Sequence, residues 1–323
     1  HMRNTILDYF RKANGQFISG EQISDDLHVS RTAVWKHIKI LKERGYIFES
    51  STRKGYRLIY APDLLTPLEI ASVLRTHSLG QNVVYLETTN STNEIAKEYA
   101  RNGAEEGTII VAEEQKMGRG RFSRSFYSPF AKGIWFSLIL RPTFFPLEAS
   151  KSTLLAAVAV CRALRSAGLP QAAIKWPNDI LVNGRKLVGI LTEMSGSMEE
   201  ISHIVMGIGV NVKTKQEELP EELKLIATSL AMEDIDIERT EAFRLILEEL
   251  EHQYYEVLDS GFEETLNEWR QLSVTLGEEI EVRAPGNTYE GVATDIDEDG
   301  NLLVRIPDGT IKRIVAGDVT KRP

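Results

Sequence analysis

The sequence predicts an α+β protein of several domains, in which a small basic helical module precedes a larger mixed α/β region and a short all-β segment. Three observations lead to this prediction. The chain has 323 residues, more than the roughly 100 to 150 residues of a typical domain. Its charge changes sign near Pro62, and its hydrophobic pattern changes along the chain from helical to mixed and then to alternating. We expect domains at residues 1–62, 63–272 and 273–323.

The composition excludes several classes of protein. Hydrophobic residues at 42% and charged residues at 26% argue against a disordered, collagen-like or membrane-spanning chain. No secretory signal pattern opens the sequence, and the single cysteine, Cys161, cannot form an intrachain disulfide. We therefore expect a cytoplasmic protein with no membrane partner, in which Cys161 is a packed thiol and not a nucleophile.

The net charge of −9 conceals a strong asymmetry. Residues 1–62 contain eleven lysines and arginines against six acids, a net charge of +5, so the remaining 261 residues carry −14. A basic module attached to an acidic body is the electrostatic pattern of a nucleic-acid-binding domain.

The basic module opens with short helices. Asn4 to Ala13 has helical apolar spacing, and Ser19 begins a capping box ahead of a second helix. Ser30 is the next N-cap, followed by apolar residues at helical intervals. The last two helices, joined by His28-Val29, predict a helix-turn-helix whose second helix presents its N-terminal residues to a DNA groove.

The pattern then changes to a hairpin. Tyr46–Phe48 and Gly55–Leu58 flank the basic turn Ser51–Lys54, which predicts a winged helix. Cations on helix and wing would bind phosphates, while the N-terminal residues of the second helix would touch base edges. The alternative is a charged surface of a protein-interaction domain. The predicted DNA-binding residues are Ser19, Gly20, Ser30, Arg31, Thr32, Trp35, Lys36, Lys39, Arg53 and Lys54.

The central region begins with a helix at Thr66-Pro67 and a strand at Asn82–Leu86. A run of small polar residues, Thr88 to Glu94, follows that strand and could serve only as an N-cap. After a strand at Thr108–Ala112 comes a loop in which two glycines allow close approach of a ligand. The loop contains four cations and no acid within nine residues, which suits a polyphosphate, although an Arg-Gly segment that binds nucleic acid is the alternative. The cations are Lys116, Arg119, Arg121 and Arg124, and the glycines are Gly118 and Gly120.

Further along, Gly133–Leu140 predicts a strand and Ser150–Ala167 a helix. The segment Ile174–Val182 predicts a strand that Pro177 interrupts, which places it at a sheet edge or bulge. Lys175 there could neutralise a carboxylate or phosphoryl oxygen, and Asp179 could hold Mg²⁺. Return strands are predicted at Lys186–Leu191 and Ile204–Val212.

The C-terminal region has an acidic helical stretch, about Glu238 to Leu272, which we interpret as a solvated surface. Three alternating segments follow at Glu279–Arg283, Thr288–Ile296 and Leu302–Ile306, separated by Gly-containing turns. They predict a small β-barrel. By itself this barrel indicates only an interaction module.

Five motifs occur in order along the central region: Ser91-Thr92-Asn93, Gln115-x-x-Gly118-Arg119-Gly120-Arg121, Lys175-Trp176-Pro177-Asn178-Asp179, Lys186-x-x-Gly189 and Gly207-Ile208-Gly209-Val210-Asn211. The Gly-Arg-Gly-Arg loop and the Lys-Trp-Pro-Asn-Asp segment are the most specific of them. In this order the motifs resemble the biotin protein ligases, and with residues 1–62 they resemble the bacterial bifunctional form that also represses biotin synthesis genes. The resemblance covers nearly the whole chain, and it implies a class II synthetase-like central domain and an SH3-like barrel.

The resemblance also implies a role for individual residues. The catalytic group would be Lys175, Arg119, Asp179 and Lys186, with Asp179 near Mg²⁺. The biotin site would be formed by Ser91, Thr92, Asn93, Gln115, Gly118, Arg119, Gly120, Arg121, Lys175, Gly189, Gly207 and Gly209. ATP and the adenylate would contact Arg119, Arg121, Phe126, Asn178, Asn211 and Arg313. Met117 and Phe126 depart from the family pattern, since a small residue is common at the first position and tryptophan is expected at the second.

The activity implied by the resemblance is ATP-dependent activation of biotin, with Mg²⁺, to biotinyl-5′-AMP. Transfer to a lysine of the biotin carrier protein of acetyl-CoA carboxylase, and possibly of other biotin carboxylases, would follow. The implied partners are this carrier protein, operator DNA and a second copy of the chain when the adenylate, acting as corepressor, is bound. Two alternatives remain open: a ligand-sensing repressor without ligase activity, and a lipoate or octanoate transferase of the same superfamily.

Overall fold

The computed structural model describes residues 2–118 and 126–322. It divides into two compact units, residues 1–74 and 75–323, each of which is described by itself. None of the helices in the described ranges is both long enough and apolar enough to cross a bilayer.

The first unit is a helix-turn-helix followed by a two-stranded hairpin and a short helix. The predicted caps are confirmed, because the hydroxyls of Ser19, Ser30 and Thr66 accept hydrogen bonds from the amides of Gln22 (3.0 Å), Ala33 (3.1 Å) and Glu69 (3.2 Å). The elements are α1 (Met2–Lys12), α2 (Gly20–Leu27), α3 (Arg31–Glu43), β1 (Ile47–Ser51), β2 (Gly55–Tyr60) and α4 (Pro67–Val73).

The apolar positions at helical spacing form the core of this unit. Ile6 and Phe10 of α1 and Val34 and Ile38 of α3 are almost completely buried. The wing is held close to the chain before α2, because residue 56 exchanges two backbone hydrogen bonds of 2.8 Å with Ile18. A side chain at Gly55 would meet the carbonyl oxygen of Ile18 at 2.2 Å, so glycine is required at this approach. The compact unit extends to residue 74 and includes α4, which packs against α1.

The second unit is built on a seven-stranded sheet with the order β3-β4-β5-β9-β8-β7-β6. The β3–β4 pair is parallel and the other pairs are antiparallel. The interrupted strand around Pro177 lies at one edge of this sheet, which accounts for the proline. The elements are β3 (Val83–Thr89), α5 (Thr92–Arg101), β4 (Ile109–Gln115), β5 (Gly133–Leu140), α6 (Lys151–Ser166), β6 (Ala173–Lys175), β7 (Asp179–Val182), β8 (Arg185–Gly196), β9 (Ile201–Asn211), α7 (Arg239–Ser260) and α8 (Glu263–Leu272).

The two faces of this sheet are covered differently. Phe136 of β5 packs edge-on against Phe243 of α7, whereas Ile139 packs with the alanines of α5. Because successive side chains of a strand point to opposite faces, α7 and α5 cover opposite sides. Ser137 therefore lies on the α5 side, as does Gly207, its partner on β9.

Helix α6 is buried along most of its length. Cys161 on this helix is fully buried, its thiol donates to the carbonyl of Ala172 at 3.3 Å, and burial raises its pKa to about 11. The prediction of a packed thiol is confirmed.

The C-terminal part of the second unit is a five-stranded antiparallel sheet with the order β13-β12-β11-β10-β14. Its strands are β10 (Glu279–Ala284), β11 (Asn287–Ile296), β12 (Leu302–Arg305), β13 (Ile311–Ile314) and β14 (Asp318–Lys321). The first three match the predicted segments. The last two were not predicted, because a four-residue strand with one fully buried side chain, Ile314 or Val319, carries too little alternation to detect.

Candidate active site

A small polar pocket lies where β3 ends and α5 begins. Ser91 stands at the N-cap position of α5, but its hydroxyl makes no capping hydrogen bond. Thr92 and Asn93 in the first turn point onto β5 and β9 and are almost completely buried. The cavity is about 30 Å³ in volume and is lined by Ser91, Thr92, Asn93, Gln115, Phe126, Phe136, Gly189, Leu191, Gly207, Ile208 and Gly209.

Gln115 closes one side of this pocket from the end of β4. Its side-chain oxygen accepts from the amide of Thr92 at 2.9 Å, and its side-chain nitrogen donates to the hydroxyl of Ser128 at 3.0 Å. The start of α5 and the end of β4 are thus joined at the pocket. Seven predicted biotin-site residues are brought together here: Ser91, Thr92, Asn93, Gln115, Gly189, Gly207 and Gly209.

The three glycines make room for side chains that lie flat on the sheet. A Cβ atom at Gly207 would stand 2.3 Å from Oδ1 of Asn93. At Gly189 and Gly209 it would stand 2.7 Å from the ring of Phe126. Gly189 pairs with Gly209 between β8 and β9, so the sheet offers a smooth floor beneath that ring.

A second, larger cleft of about 1200 Å³ begins where the small pocket ends, and Gln115 and Phe126 line both. Its walls are the β6–β8 edge of the sheet, the segment 219–227 and the near side of the C-terminal barrel. Lys116, Lys175, Lys186 and Lys321 contribute cations to the lining. Glu114, Asp179, Glu222 and Glu278 contribute carboxylates to the same lining. The cleft therefore joins a polar pocket to a wall that carries charges of both signs.

Lys175, Asp179 and Lys186 form the charged centre of that wall. Lys175 and Asp179 are directly opposite in the β6–β7 pair, and Nζ of Lys175 is 3.8 Å from Oδ2 of Asp179. Nζ of Lys186 is 3.3 Å from Oδ1 of the same carboxylate. The one carboxylate thus holds two ammonium groups side by side in a half-buried position.

The turn between β6 and β7 is clamped from several sides. The amide of Trp176 donates to the hydroxyl of Thr275 at 2.9 Å, and its indole donates to the carbonyl of Gly300 at 3.1 Å. The indole of Trp269 donates to the carbonyl of Pro177 at 3.1 Å. These contacts fix the backbone that positions Lys175 and Asp179.

Phe126 lies at the boundary between the two cavities. Its ring is edge-on to Trp135 at a centroid distance of 5.8 Å, and Nζ of Lys186 lies 5.4 Å from its centroid. A pocket of about 30 Å³ holds one or two water molecules and not a bicyclic ligand. A ring-sized ligand therefore needs more room than this pocket offers, and the ring of Phe126 on Gly189 and Gly209 stands between the pocket and the larger cleft.

The remaining predicted residues fall in different places. Gly118 and Asn211 line the cleft, and Asn211 donates to the carbonyl of Thr228 at 3.0 Å. Asn178 is buried beneath the wall, where it donates to the carbonyl of Ile190, and does not line the cleft. Arg313 on β13 pairs with Asp297 at 3.3 Å, while Lys321 on β14 is the barrel cation in the lining. Arg119, Gly120 and Arg121 lie outside the described residues.

Two residues that sequence reasoning missed lie behind the polar pocket and contact Asn93. Ser137 is fully buried in the otherwise apolar β5, where its hydroxyl donates to Oδ1 of Asn93. Glu193 on β8 accepts from Nδ2 of Asn93 at 2.9 Å. The signal available in the sequence was the isolated serine in Gly133–Leu140, because a buried hydroxyl requires a partner.

No group of three or more histidine, cysteine, aspartate or glutamate side chains suited to holding a metal occurs within residues 2–118 and 126–322. Asp179 is one of four acidic residues that line the cleft and the one that lies beside Lys175 and Lys186. Magnesium is commonly bound by one or two carboxylates together with substrate phosphates and water. The residues present therefore fit a magnesium ion that arrives with a nucleotide.

The first unit presents a separate basic surface. Arg31, Thr32, Trp35, Lys36 and Lys39 are exposed on α3, and Nζ of Lys39 lies 5.4 Å from the ring of Trp35. In the wing, Arg53 and Lys54 are exposed, and their amides donate to the hydroxyl of Ser51 at 3.3 and 3.2 Å. Ser19 and Ser30 cap the two helices, and Gly20 opens α2.

Three family models match successive parts of the chain. Residues 2–57 match a helix-turn-helix domain, residues 85–211 the biotin/lipoate A/B protein ligase family, and residues 275–322 the biotin protein ligase C-terminal domain. The order agrees with the N-terminal unit, the seven-stranded sheet and the barrel.

Individual proteins are similar over most of the chain. A bifunctional ligase/repressor, BirA, of Bacillus subtilis is 42% identical over 98% of both chains. A biotin–[acetyl-CoA-carboxylase] ligase of Paracoccus denitrificans is 35% identical and covers 69% of this chain and 94% of its own. Among solved structures, the biotin protein ligase of Aquifex aeolicus in complex with biotin and ATP has a TM-score of 0.64 at 28% identity, covering 75% of this chain and 99% of its own.

Proposed function

Since this chain belongs to the family of bifunctional biotin ligases and repressors, we propose that the two adjoining cavities of the second unit divide one reaction between them. The chain is an ATP-dependent biotin ligase and a DNA-binding repressor. In our proposal the small polar pocket binds the ureido ring of biotin, and the charged cleft binds ATP.

The observation that carries this assignment is that the polar pocket and the charged cleft that contains Lys175 and Lys186 share Gln115 and Phe126. A ligand with a polar ring at one end and a carboxylate at the other would place the ring against Thr92 and Asn93. Its carboxylate would then reach Lys175. Among the alternatives, a lipoyl or octanoyl chain has no comparable polar ring for this pocket.

The first chemical step asks for orientation and charge neutralisation. A biotin carboxylate oxygen forms a bond to the α-phosphorus of ATP, and the bond from that phosphorus to the pyrophosphate oxygen breaks. Lys175 and Lys186 would neutralise the carboxylate and the phosphoryl oxygens while both groups approach. Arg119, with Arg121, would hold the adenylate's phosphate, and Phe126 would stack on adenine after leaving its seat.

Asp179 would hold Mg²⁺ when the nucleotide is present, and that ion would supply further charge neutralisation to the phosphates. In the chain as described, the same carboxylate positions the two lysine ammonium groups. Asn211 lies at the cleft and could contact the nucleotide, whereas Asn178 would act by supporting the wall and Arg313 would contribute from the barrel.

The second step transfers biotin to a protein. A lysine amine of the acceptor attacks the acyl carbon of the mixed anhydride, the bond from that carbon to the phosphate oxygen breaks, AMP leaves, and the amine loses a proton to solvent. The Paracoccus relative is named for acetyl-CoA carboxylase, and we propose the biotin carrier protein of that enzyme as the acceptor.

The first unit would bind operator DNA of biotin synthesis genes in the cytoplasm, with the adenylate as corepressor and a homodimer as the binding species. The surface that supports DNA binding combines exposed cations on α3 and on the wing with the half-exposed Trp35.

An adenylate-formation assay tests the catalytic proposal. The full chain is incubated with biotin, magnesium and α-labelled ATP, and labelled biotinyl adenylate is followed before and after a biotin carrier domain is added. We expect adenylate only with biotin, and its disappearance when the carrier becomes biotinylated. Failure to form adenylate would leave a repressor without ligase activity, and adenylate with lipoate or octanoate in place of biotin would identify the transferase alternative.

A further inference from the structure

Glu193 lies behind the polar pocket, and we infer that it is a positioning residue that decides which hydrogen-bonding groups the pocket offers to its ligand. It acts through Asn93, Ser137 and Thr92. This inference rests on the proposed function, because it concerns the recognition of the ligand's ring.

Leu191 and Glu193 together fix the orientation of the Asn93 side-chain amide. Its Nδ2 faces the carbonyl oxygen of Leu191 at 3.3 Å and Oε2 of Glu193 at 2.9 Å. A carbonyl and a carboxylate only accept hydrogen bonds. The NH₂ group of Asn93 must therefore point toward Leu191 and Glu193, and Oδ1 must point toward Ser137.

The orientation of the Asn93 amide in turn fixes which hydroxyls donate and which accept at Ser137 and Thr92. Oδ1 of Asn93 cannot donate, so the hydroxyl of Ser137 donates to it. The only hydroxyl proton of Ser137 is used in this hydrogen bond. In the contact of 2.8 Å between the hydroxyls of Thr92 and Ser137, Thr92 must therefore be the donor. Both Thr92 and Asn93 are left with lone pairs, and no protons, on the pocket side.

Lys97 holds the carboxylate of Glu193, at which this series of hydrogen bonds begins. Its Nζ lies 2.6 Å from Oε1 of Glu193 and 3.0 Å from Oε1 of Glu94. Burial would lower the pKa of Lys97, but the hydrogen bonds that Lys97 donates to Glu193 and Glu94 outweigh it and raise that pKa. The ammonium therefore stays charged and keeps one oxygen of Glu193, while the other oxygen faces Asn93.

The consequence is that the side chains of Thr92 and Asn93 form a patch of acceptors in the pocket wall, which favours a ligand ring that presents N–H groups to them. A site built around specific hydrogen bonds rejects ligands that cannot supply them, because its own polar groups are then buried without partners. The selection thus originates at Glu193, a residue that does not line the pocket.

The test variant is Glu193→Gln, which keeps the shape and removes the acceptor-only property. In this variant Lys97 will donate to the oxygen of the new side-chain amide at position 193. The NH₂ group of that new amide will then face Nδ2 of Asn93, and the Asn93 amide will turn over so that its oxygen accepts from it. We expect biotin affinity to fall roughly 10- to 100-fold, with the KM for ATP within about twofold of the wild type. Affinity for a biotin methylated on one ureido nitrogen, already weak, should change little, so discrimination between the two ligands should fall.

Glu94→Gln is the matched control, because it removes the other acid partner of Lys97 without touching Asn93; biotin affinity should stay at the wild-type value. Ser137→Ala is the second variant and should show the same selective loss if Glu193→Gln is unstable in thermal unfolding. Both ligands are titrated by calorimetry. Unchanged biotin affinity in folded Glu193→Gln, or equal losses for both ligands, overturns the inference. Absence of biotin binding by the wild-type chain overturns the proposed function instead.

Discussion

Lys175 and Asp179 face each other across a hairpin whose turn is three residues long. Such a short turn places both side chains on the same side of the pair, and the clamping of Trp176 and Pro177 by residues of α8 and the barrel region keeps them there. In the proposed mechanism, the charge that would neutralise the ligand's carboxylate is therefore in place before any substrate arrives, which is the arrangement that electrostatic catalysis requires.

Replacing Lys175 with methionine should test this role. The change keeps the aliphatic length and removes the charge that neutralises the reacting carboxylate and phosphate. We expect adenylate formation to slow by about 10²- to 10³-fold, measured in a single-turnover assay with α-labelled ATP.

Lys213→Met serves as its control, because Lys213 pairs with Asp236 at 3.8 Å and does not line the cleft. That variant should retain the wild-type rate. A rate for Lys175→Met within threefold of the wild type would remove Lys175 from the catalytic group.

At the scale of single elements, we propose that the wing brings cations to the phosphate backbone of DNA. Lys54 lies at its tip, and its Nζ is 5.5 Å from the ring of Phe17. Lys54→Ala should weaken DNA binding nearly equally for operator and unrelated DNA. The slope of log K against log salt should shrink by about one, as measured by fluorescence anisotropy over a salt series.

Lys12→Ala is the comparison for this experiment, because Lys12 is also exposed in the first unit but pairs with Asp8 at the end of α1. Its salt slope should match that of the wild type. Equal slopes for Lys54→Ala and the wild type would mean that the wing does not reach the DNA.

Helix α7 is joined to the segment 77–79 by one carboxylate. Glu251 accepts from the amides of His77 at 2.8 Å and of Ser78 and Leu79 at 2.9 Å. Burial would raise the pKa of Glu251, but these amide hydrogen bonds outweigh it and lower the pKa. Because the pKa of Glu251 is lower in the folded state, its carboxylate stabilises the fold fully at pH values above the unfolded-state pKa of about 4.3. This stabilisation is lost as the pH falls through the folded-state pKa.

Glu251→Gln should therefore lower the free energy of unfolding by about 1 to 3 kcal/mol at pH 7, measured by denaturant titration. The difference in free energy of unfolding between this variant and the wild type should become smaller below about pH 4. Glu256→Gln, an exposed change on the same helix, should have little effect at either pH. A difference that grows as pH falls would contradict the sign of the shift.

At the scale of the whole molecule, the two units provide two activities that one ligand can couple. If the adenylate is the corepressor, a chain supplied with biotin and ATP should bind a promoter fragment of biotin synthesis genes at least about tenfold more tightly than the chain alone, a coupling of about 1.4 kcal/mol. Anisotropy titrations measure the affinity, and sedimentation velocity measures whether a dimer forms under the same conditions. Equal operator affinity with and without the ligands would count against corepression.

Much of the architecture was predictable because it depends on local patterns. Ser19, Ser30 and Thr66 were identified as caps from residue type and spacing, and β5 was placed at its observed bounds because its eight residues are almost all apolar. The strands β13 and β14 were missed because short edge strands have few buried positions. The barrel's contribution to the cleft could not be foreseen, since Lys321 becomes a lining residue only when β14 pairs with β10.

The sequence by itself determined the helix-turn-helix, the charge asymmetry, the order of the motifs and the chemical types available at the site, because spacing, capping and composition are local properties. Only the tertiary structure decided how those types combine. It placed Phe126 on Gly189 and Gly209, put Ser137 and Glu193 behind Asn93, and left Asn178 beneath the wall. The physical reason is that hydrogen-bond direction and burial depend on residues from β4, β5, β8 and α5 meeting in space, and no spacing along the chain encodes that meeting.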